Sequence, residues 1–200
     1  MGDLGNLFGA SVIRDLYLLS GWLWAAFWVL WLVWGLITTR QRRVVAGGGA
    51  VIPVWAIVIA VIFFRRNFLS YFPASILWAG HPPAAIAGFL LELLGLALTV
   101  WARYYLGSFW SGSVVLREGH RVVDTGPYRL VRHPIYSGIL LAALGTFFMD
   151  GSTLWLVVLV AGTAGFWWKA RAEERLLTTE LGEEYAAYRR RTRMLIPWLL

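Results

Sequence analysis

The segment Asp124-Thr-Gly-Pro-Tyr-Arg-Leu-Val-Arg-His-Pro-Ile-Tyr-Ser-Gly138 is polar, basic and rich in turn formers, although it lies between long apolar runs. Glycine and proline favour turns, whereas charged side chains are costly inside a bilayer. The turn formers and charged residues of this segment include Gly126, Pro127, Arg129, Arg132, His133 and Pro134. Because polar groups concentrated in an apolar chain usually have a function, we interpret the rest of the chain as a frame that holds this segment at one face of a membrane.

The composition is typical of a membrane protein. Of the 200 residues, 59% are hydrophobic and 14% are charged, and the mean hydropathy is +0.64. A soluble domain usually has about 25% charged residues. The chain has no cysteine, which excludes disulfides, thiolate metal sites and a cysteine nucleophile. The net charge of +7 collects in loops beside apolar segments, which favours a membrane surface over nucleic acid as the partner.

Five apolar segments predict transmembrane helices, because a helix needs about 20 mainly apolar residues to cross the hydrocarbon core. They are residues 16–38, 50–64, 84–106, 135–149 and 153–168. The tight turn Asp150-Gly151-Ser152 joins the last two and predicts a helical hairpin near the C-terminus. Good helix formers then continue to Glu180, Gly182 is predicted to end the helix, and residues 183–193 predict a second, charged helix.

The predicted fold class is therefore an all-α polytopic membrane protein with about five transmembrane helices, forming one domain over residues 1–200. Residues 1–83 hold two spans and a loop that reads as interfacial, and residues 84–200 hold the remaining spans and the polar segments.

Basic residues predict the orientation, since loops rich in Arg and Lys stay in the cytoplasm. With five spans, loop 40–43, loop 107–133 and the C-terminal segment fall on one side and carry most of the basic residues. The other side carries Arg14, Arg65 and Arg66. We therefore expect the N-terminus outside, and both the opening segment and the C-terminal helices in the cytoplasm.

Two polar groups of residues should converge at the cytoplasmic face. The fourth span begins directly after Arg132-His133, and the fifth returns to the same face at Lys169. Lys169 and Glu173 are four residues apart and share a helix face. Residues nearly forty positions apart in the chain are thus predicted to be neighbours.

The polar residues also resemble a known family. The pattern is Gly126-Pro-Tyr-Arg-x-x-Arg-His-Pro-x-Tyr-x-Gly138, then Glu173-Glu174, then Gly182-x-x-Tyr185-x-x-Tyr188 and a late Pro197. In order and spacing it resembles the isoprenylcysteine carboxyl methyltransferase family, whose relatives include phospholipid methyltransferases. The resemblance covers roughly residues 85–200. It implies methyl transfer from S-adenosylmethionine to a lipid or lipidated substrate, with S-adenosylhomocysteine as product, in a pocket between the membrane helices and the cytoplasmic C-terminal helices.

The resemblance implies roles for individual residues. Cofactor contacts are expected at His120, Arg121, Val122, Val123, Tyr128, His133, Pro134, Ile135, Tyr136 and Glu173. Catalytic roles are expected for Arg132, His133 and Glu173, and substrate contacts for Arg132 and Lys169. The family has Arg at the position of Lys169 and Gln at that of Ser113 in the enzymes that act on lipidated cysteine. Lys cannot form the bidentate Arg fork, so these departures weigh against a prenylcysteine carboxylate as substrate.

Physical chemistry alone also suits these residues to a sulfonium cofactor. Glu173 can balance the cation or pair with the amino group, and Tyr128 and Tyr136 can offer ring faces. Arg132 and His133 can pair with a carboxylate. Methyl transfer is an in-line displacement, so positioning and electrostatics are the main tasks. If the acceptor must lose a proton, the base is open among His133, Glu174 and solvent.

Several alternatives stay open at this point. An NADPH-dependent sterol-type membrane reductase shares an Arg-His-Pro-x-Tyr element, and a non-catalytic membrane scaffold needs no pocket. Glu92 and Arg103, three turns apart on one predicted helix, form either a structural bridge or a pocket wall. No metal is expected, because His120 and His133 have no third strong ligand at metal spacing. The acceptor can be a carboxylate, thiol, amine or phospholipid headgroup.

Overall fold

The computed structural model describes residues 2–39, 44–47, 81–111, 114–117, 119 and 121–197. Four α-helices dominate it: α1 (Gly2–Thr39), α2 (Pro82–Leu106), α3 (Pro134–Asp150) and α4 (Thr153–Arg191). Two 3-10 turns, Gly107–Phe109 and Gly126–Arg129, lie between α2 and α3. The predicted span 50–64 and most of the predicted interfacial loop lie outside the described residues, as do His120, Ser113 and the arginines of loop 40–43.

The predominantly helical architecture is as predicted, and it includes one element that the prediction lacked. Strand β1 (Val44–Gly47) pairs antiparallel with β2 (Val115–Arg117), with Gly47 opposite Val115. The register is irregular between Val44 and Ala46. This ribbon links the chain after α1 to the polar connection between α2 and α3.

Among the described residues, three helices are long and apolar enough to cross a membrane: Ser11–Thr38, Pro82–Phe109 and Thr153–Arg191. The helix Pro134–Asp150 is equally apolar but shorter. At about 1.5 Å per residue, α4 is far longer than the roughly 30 Å hydrocarbon core, and its second half is polar. Gly182 kinks this helix at φ 54°, where the sequence predicted an end.

Helices α2 and α3 approach so closely that glycine is required at their contact. A Cβ added to Gly95 would lie 2.3 Å from the backbone nitrogen of Ala142, and one added to Gly145 would lie 2.4 Å from that of Glu92. Small residues permit such backbone contact between membrane helices. This pair of helices forms the rigid part of the frame, and α3 begins directly after the segment that opens the sequence analysis.

Glu92 and Arg103 do not form the bridge that was one of the two predictions. Eleven residues of helix separate them by about 16 Å. Glu92 is fully buried and accepts hydrogen bonds from Ser20 Oγ of α1 (2.7 Å) and Thr146 Oγ1 of α3 (3.1 Å). Arg103 donates through Nη2 to Thr38 Oγ1 (2.9 Å). Glu92 and Arg103 therefore each link α2 to α1, at two separate points along the helices.

Replacing Gly95 by Ala should destabilise the protein by about 1–3 kcal/mol, because the new methyl group forces two packed backbones apart. Gly21→Ala is the matched control, since nothing lies within 4 Å of a Cβ at that position. Thermal unfolding in detergent is the measurement. Equal unfolding temperatures for the two variants would contradict the close contact.

Candidate active site

The C-terminal segment fixes the opening segment from one side. The backbone N–H groups of Arg132 and His133 donate to the carbonyls of Arg193 (2.8 Å) and Met194 (3.1 Å). Ser137 Oγ of α3 donates to the carbonyl of Leu195. The polar loop before α3 is thus held in a backbone ladder rather than left as a free connection.

The 3-10 turn Gly126–Arg129 is fixed on its other side by α2 and α4. Gly126 has φ 57°, and a Cβ there would lie 2.6 Å from the ring of Tyr105 on α2. Tyr188 Oη of α4 donates to the carbonyl of Tyr128, at 2.7 Å. Tyr128 itself is buried, so its ring is available to line an interior wall.

Glu174 links Arg132 to α4. Arg132 Nε lies 2.6 Å from Glu174 Oε1, and Arg132 Nη1 also donates to the carbonyl of Thr192. On the other oxygen of the same carboxylate, Arg189 Nε lies 3.4 Å from Oε2. The Arg132 and Glu174 side chains are both more than nine-tenths buried, whereas that of Arg189 is 44% exposed. Glu174 is therefore engaged by cations on both sides.

Glu173 points into a second cluster. Tyr136 Oη donates to Glu173 Oε1 (2.6 Å), Lys169 Nζ lies 3.7 Å from the same oxygen, and His133 Nδ1 lies 3.4 Å from Oε2. The His133 ring stacks on Tyr136 with 5.4 Å between centroids, and Tyr136 stacks on Phe166 of α4. The predicted proximity of His133, Lys169 and Glu173 is present in the structure.

The two carboxylates set the protonation of His133. Burial lowers its pKa, but the two nearby carboxylates of Glu173 and Glu174 outweigh burial, and the pKa is raised above the usual 6.5. His133 Nε2 lies 3.4 Å from Glu174 Oε1, which is an ion-pair distance. This buried nitrogen nevertheless has no hydrogen-bond partner among the described residues. In the protonated imidazole, this N–H is engaged by Glu174 through charge alone, which leaves its hydrogen bond available to a bound group.

This pKa predicts a pH dependence of stability. Folding raises the pKa of His133, so the folded state holds more protons than the unfolded state above about pH 6.5, and stability falls as the pH rises through the folded value. The stabilising contribution is complete below the unfolded pKa. Unfolding temperatures measured between pH 6 and 9 should fall more steeply for the wild type than for His133→Gln, which keeps the other two histidines. Parallel curves would contradict the raised pKa.

A cavity that is partly open to solvent lies between the opening segment and the second half of α4. The predicted site residues that line it are Arg121, Val122, Val123, Tyr128, Arg132, His133, Ile135, Tyr136 and Glu173. Pro134 is buried at the first turn of α3 and does not line the cavity. Lys169 does not line it either, but it contacts Glu173 and Tyr136, which do.

Sequence reasoning missed the apolar wall of this cavity. That wall includes Trp110, Leu176, Leu177 and Leu181, and Tyr185 and Tyr188 complete it. The spacing of 173, 177 and 181 is that of one helix face, and this stripe before the kink at Gly182 was the signal that could have revealed it. An apolar wall opposite a carboxylate, a histidine and two tyrosines suits a flat aromatic group attached to a charged one.

The residues present fit S-adenosylmethionine. Glu173 offers a carboxylate for the cationic part, and His133 Nε2 is a buried nitrogen beside Glu174 that has no hydrogen-bond partner among the described residues. The ring of Tyr128 lines the cavity, and the leucines of α4 offer an apolar surface for adenine.

Comparison with known proteins decides the family. The sequence profile of the family described as phospholipid methyltransferase matches residues 83–184, which is half of the chain. The chain belongs to the phospholipid methyltransferase family. The matched region contains α3, nearly all of α2 and the cluster around Glu173, together with Glu174 and Arg132 but not Arg189. This family assignment therefore covers most of the cavity.

Two curated proteins that are similar to this chain have different names. Methanethiol S-methyltransferase of Mycobacterium tuberculosis is 30% identical over 137 residues, which are 62% of this chain and 54% of that protein. The cobalt-zinc-cadmium resistance protein CzcN of Cupriavidus metallidurans is 34% identical over 110 residues, which are 54% of this chain and 49% of that protein. The chain spans about half the length of these curated relatives.

The fold is also similar to that of a solved membrane methyltransferase. The eukaryotic intramembrane Ras methyltransferase, isoprenylcysteine carboxyl methyltransferase, superposes with a TM-score of 0.55 at 22% identity, over 74% of this chain and 53% of that protein. At this identity the likeness shows only that the two proteins share a fold. It agrees with the resemblance seen in the sequence.

Proposed function

We propose that this protein is an integral-membrane methyltransferase that uses S-adenosylmethionine to methylate a lipophilic acceptor. The observation that supports this proposal most strongly is the cavity in which Glu173, His133 and Tyr136 lie opposite an apolar wall of α4. Membership of the phospholipid methyltransferase family supports the proposal, as do relatives that are named methyltransferases. The bound cofactor would supply an electrophilic methyl group.

The charged residues of the cavity divide into two tasks. Glu173, held by Tyr136 and Lys169, places negative charge where the cationic part of the cofactor would bind. Glu173 and Glu174 raise the pKa of His133 and so favour its protonated form, and we assign it to donate from Nε2 to a carboxylate rather than to act as the general base. Arg132 holds the loop in place through Glu174 and Thr192 and faces the cavity.

The topology is part of the same proposal. Five spans, with α3 and α4 as a hairpin, would put the cavity and the C-terminal helix at the cytoplasmic face, where the cofactor pool is. The exposed aromatic residues Trp167 and Trp168 mark the level at which α4 leaves the apolar layer. His133 and Glu173 lie close to that level, so a membrane-dissolved acceptor reaches the cavity from the side.

The acceptor itself is assigned only by class, as a lipid or lipidated small molecule. Lys169 is buried against Glu173 and Tyr136, with its ammonium 5.4 Å from the ring centroid. This placement behind Glu173 fits a positioning role better than the direct substrate contact predicted from the sequence. A thiol, amine, carboxylate or phospholipid headgroup remains a possible outcome of the experiment.

The test is to incubate membranes containing the protein with S-adenosylmethionine labelled in the methyl group and to identify the labelled lipid. We expect label in the lipid fraction that depends on the protein. A thermal-shift comparison of S-adenosylhomocysteine with NADPH distinguishes a methyltransferase from a reductase. The methyltransferase should be stabilised by S-adenosylhomocysteine, and the reductase by NADPH only. Absence of labelling together with no shift by either cofactor would favour the scaffold alternative.

A further inference from the structure

A second concave surface lies on α4, on the opposite side of Glu174 from the cavity. Six residues line this groove: Arg171, Glu174, Arg175, Thr178, Thr179 and Arg189. Three are cationic and one is anionic, and the anionic one is already shared with Arg132. We refer to this surface as the arginine groove.

Charge in the arginine groove is unbalanced. Neither Arg171 nor Arg175 forms an ion pair with any part of the chain that the structure describes, and Arg171 only stacks on Trp167 at 4.9 Å. The hydroxyls of Thr178 and Thr179 donate to the carbonyls four residues earlier, so they have no donor to spare. Recognition in the groove therefore rests on guanidinium groups, whose planar forks match phosphate oxygens.

The position of the groove matches a lipid headgroup. Arg171 and Arg175 follow the exposed Trp167 and Trp168 by one to two helical turns, which is about 5–12 Å. The headgroup layer on each side of the hydrocarbon core is about 5–7 Å thick. Tryptophans are enriched at the membrane–water interface. Arginines one to two turns beyond them lie at the level of the lipid phosphates.

We propose that the arginine groove binds the phosphate of an anionic phospholipid at a site separate from the cofactor cavity. Arg171, Arg175 and Arg189 form the site. A phosphate beside Arg189 competes with Glu174 Oε2 for that guanidinium and leaves the carboxylate to Arg132 and His133. Bound lipid is thereby coupled to the wall of the cofactor cavity. This coupling, unlike the lipid binding, rests on the proposed function.

Binding is tested on the full chain in an uncharged detergent with dioctanoyl phosphatidylglycerol as the probe. We expect a saturable rise in the unfolding temperature of the wild type, and none with dioctanoyl phosphatidylcholine. The double variant Arg171→Gln/Arg175→Gln should bind phosphatidylglycerol more weakly by on the order of tenfold, since each arginine near an anionic surface contributes several-fold. High salt should weaken binding, because both side chains are exposed.

The matched control is Arg190→Gln/Arg193→Gln, which removes the same charge from exposed positions outside the groove. It should bind like the wild type. Equal weakening in both double variants, or an equal shift with phosphatidylcholine, overturns the site. A shift of the same size with inorganic phosphate at the same concentration overturns the assignment to a lipid.

The coupling has a separate readout. The dissociation constant of S-adenosylhomocysteine should change when phosphatidylglycerol is added to the wild type, and should not change for Arg171→Gln/Arg175→Gln. An unchanged constant in lipid-saturated wild type overturns the coupling. Lipid binding without any binding of S-adenosylhomocysteine would contradict the proposed function and leave the groove supported.

Discussion

Replacing Glu173 by Gln is expected to lower kcat/KM for methyl transfer by about 10²–10³-fold, the loss typical when one preorganised electrostatic group is removed. The amide keeps the size of the side chain and can still accept from Tyr136, so the local packing survives. What disappears is the negative charge that faces Lys169, His133 and the cavity. The loss should appear in the affinity for S-adenosylhomocysteine as well as in turnover.

Glu180→Gln is the matched control for this substitution, because it removes the same charge from an exposed position on the same helix. Its activity and affinity should equal those of the wild type. The assignment of Glu173 to the cofactor would be wrong if the two variants bound S-adenosylhomocysteine equally well.

Replacing Arg132 by Gln should destabilise the fold by about 3 kcal/mol, the lower end of the cost of breaking a buried ion pair. The substitution removes the 2.6 Å contact with Glu174 and the donation to the carbonyl of Thr192. Arg189 still lies beside the carboxylate and limits the cost. Because Arg132 ties the loop before α3 to the C-terminal segment, binding of S-adenosylhomocysteine should be lost with it.

Arg189→Gln supplies the comparison, since it removes the other cation from Glu174. Its side chain is 44% exposed, and its contact with the carboxylate is 3.4 Å, so the expected cost is below about 1 kcal/mol. Thermal unfolding in detergent measures both variants. A larger loss for Arg189→Gln than for Arg132→Gln would refute the role given to Arg132.

The helices were predictable from the sequence because their ends are marked by chemistry. Arg40 follows α1, Pro82 and Pro134 stand in the first turns of α2 and α3, and Gly151 separates α3 from α4. An apolar run of this length between such markers is expected to be a helix, because a membrane requires every backbone polar group to be hydrogen-bonded within the segment. At Gly182 the sequence predicted the end of the helix, and the structure has a kink there instead.

Long-range pairings were not predictable. The strands Val44–Gly47 and Val115–Arg117 are too short to carry a pattern, and they pair across about seventy residues. The partners of Glu92 come from α1 and α3, so the bridge to Arg103, one of the two predictions made within its own helix, was wrong. Periodicity within one helix gives a face but does not identify the helix that covers it.

The candidate site was predictable to the extent that it is local in the chain. His133 and Tyr136 are three residues apart, Lys169 and Glu173 are four apart, and the short turn after α3 brings the pairs together. The role of Glu174 between two arginines was missed, because Arg189 returns to it only through the kink at Gly182.

The most direct test of the central claim is calorimetric titration of S-adenosylhomocysteine into the folded wild-type protein in detergent. The cavity lined by His133, Tyr136 and Glu173 predicts saturable binding at one site per chain. Absence of binding heat across several temperatures, with the protein shown to be folded by its cooperative unfolding, would contradict the claim that this cavity holds the methyl donor.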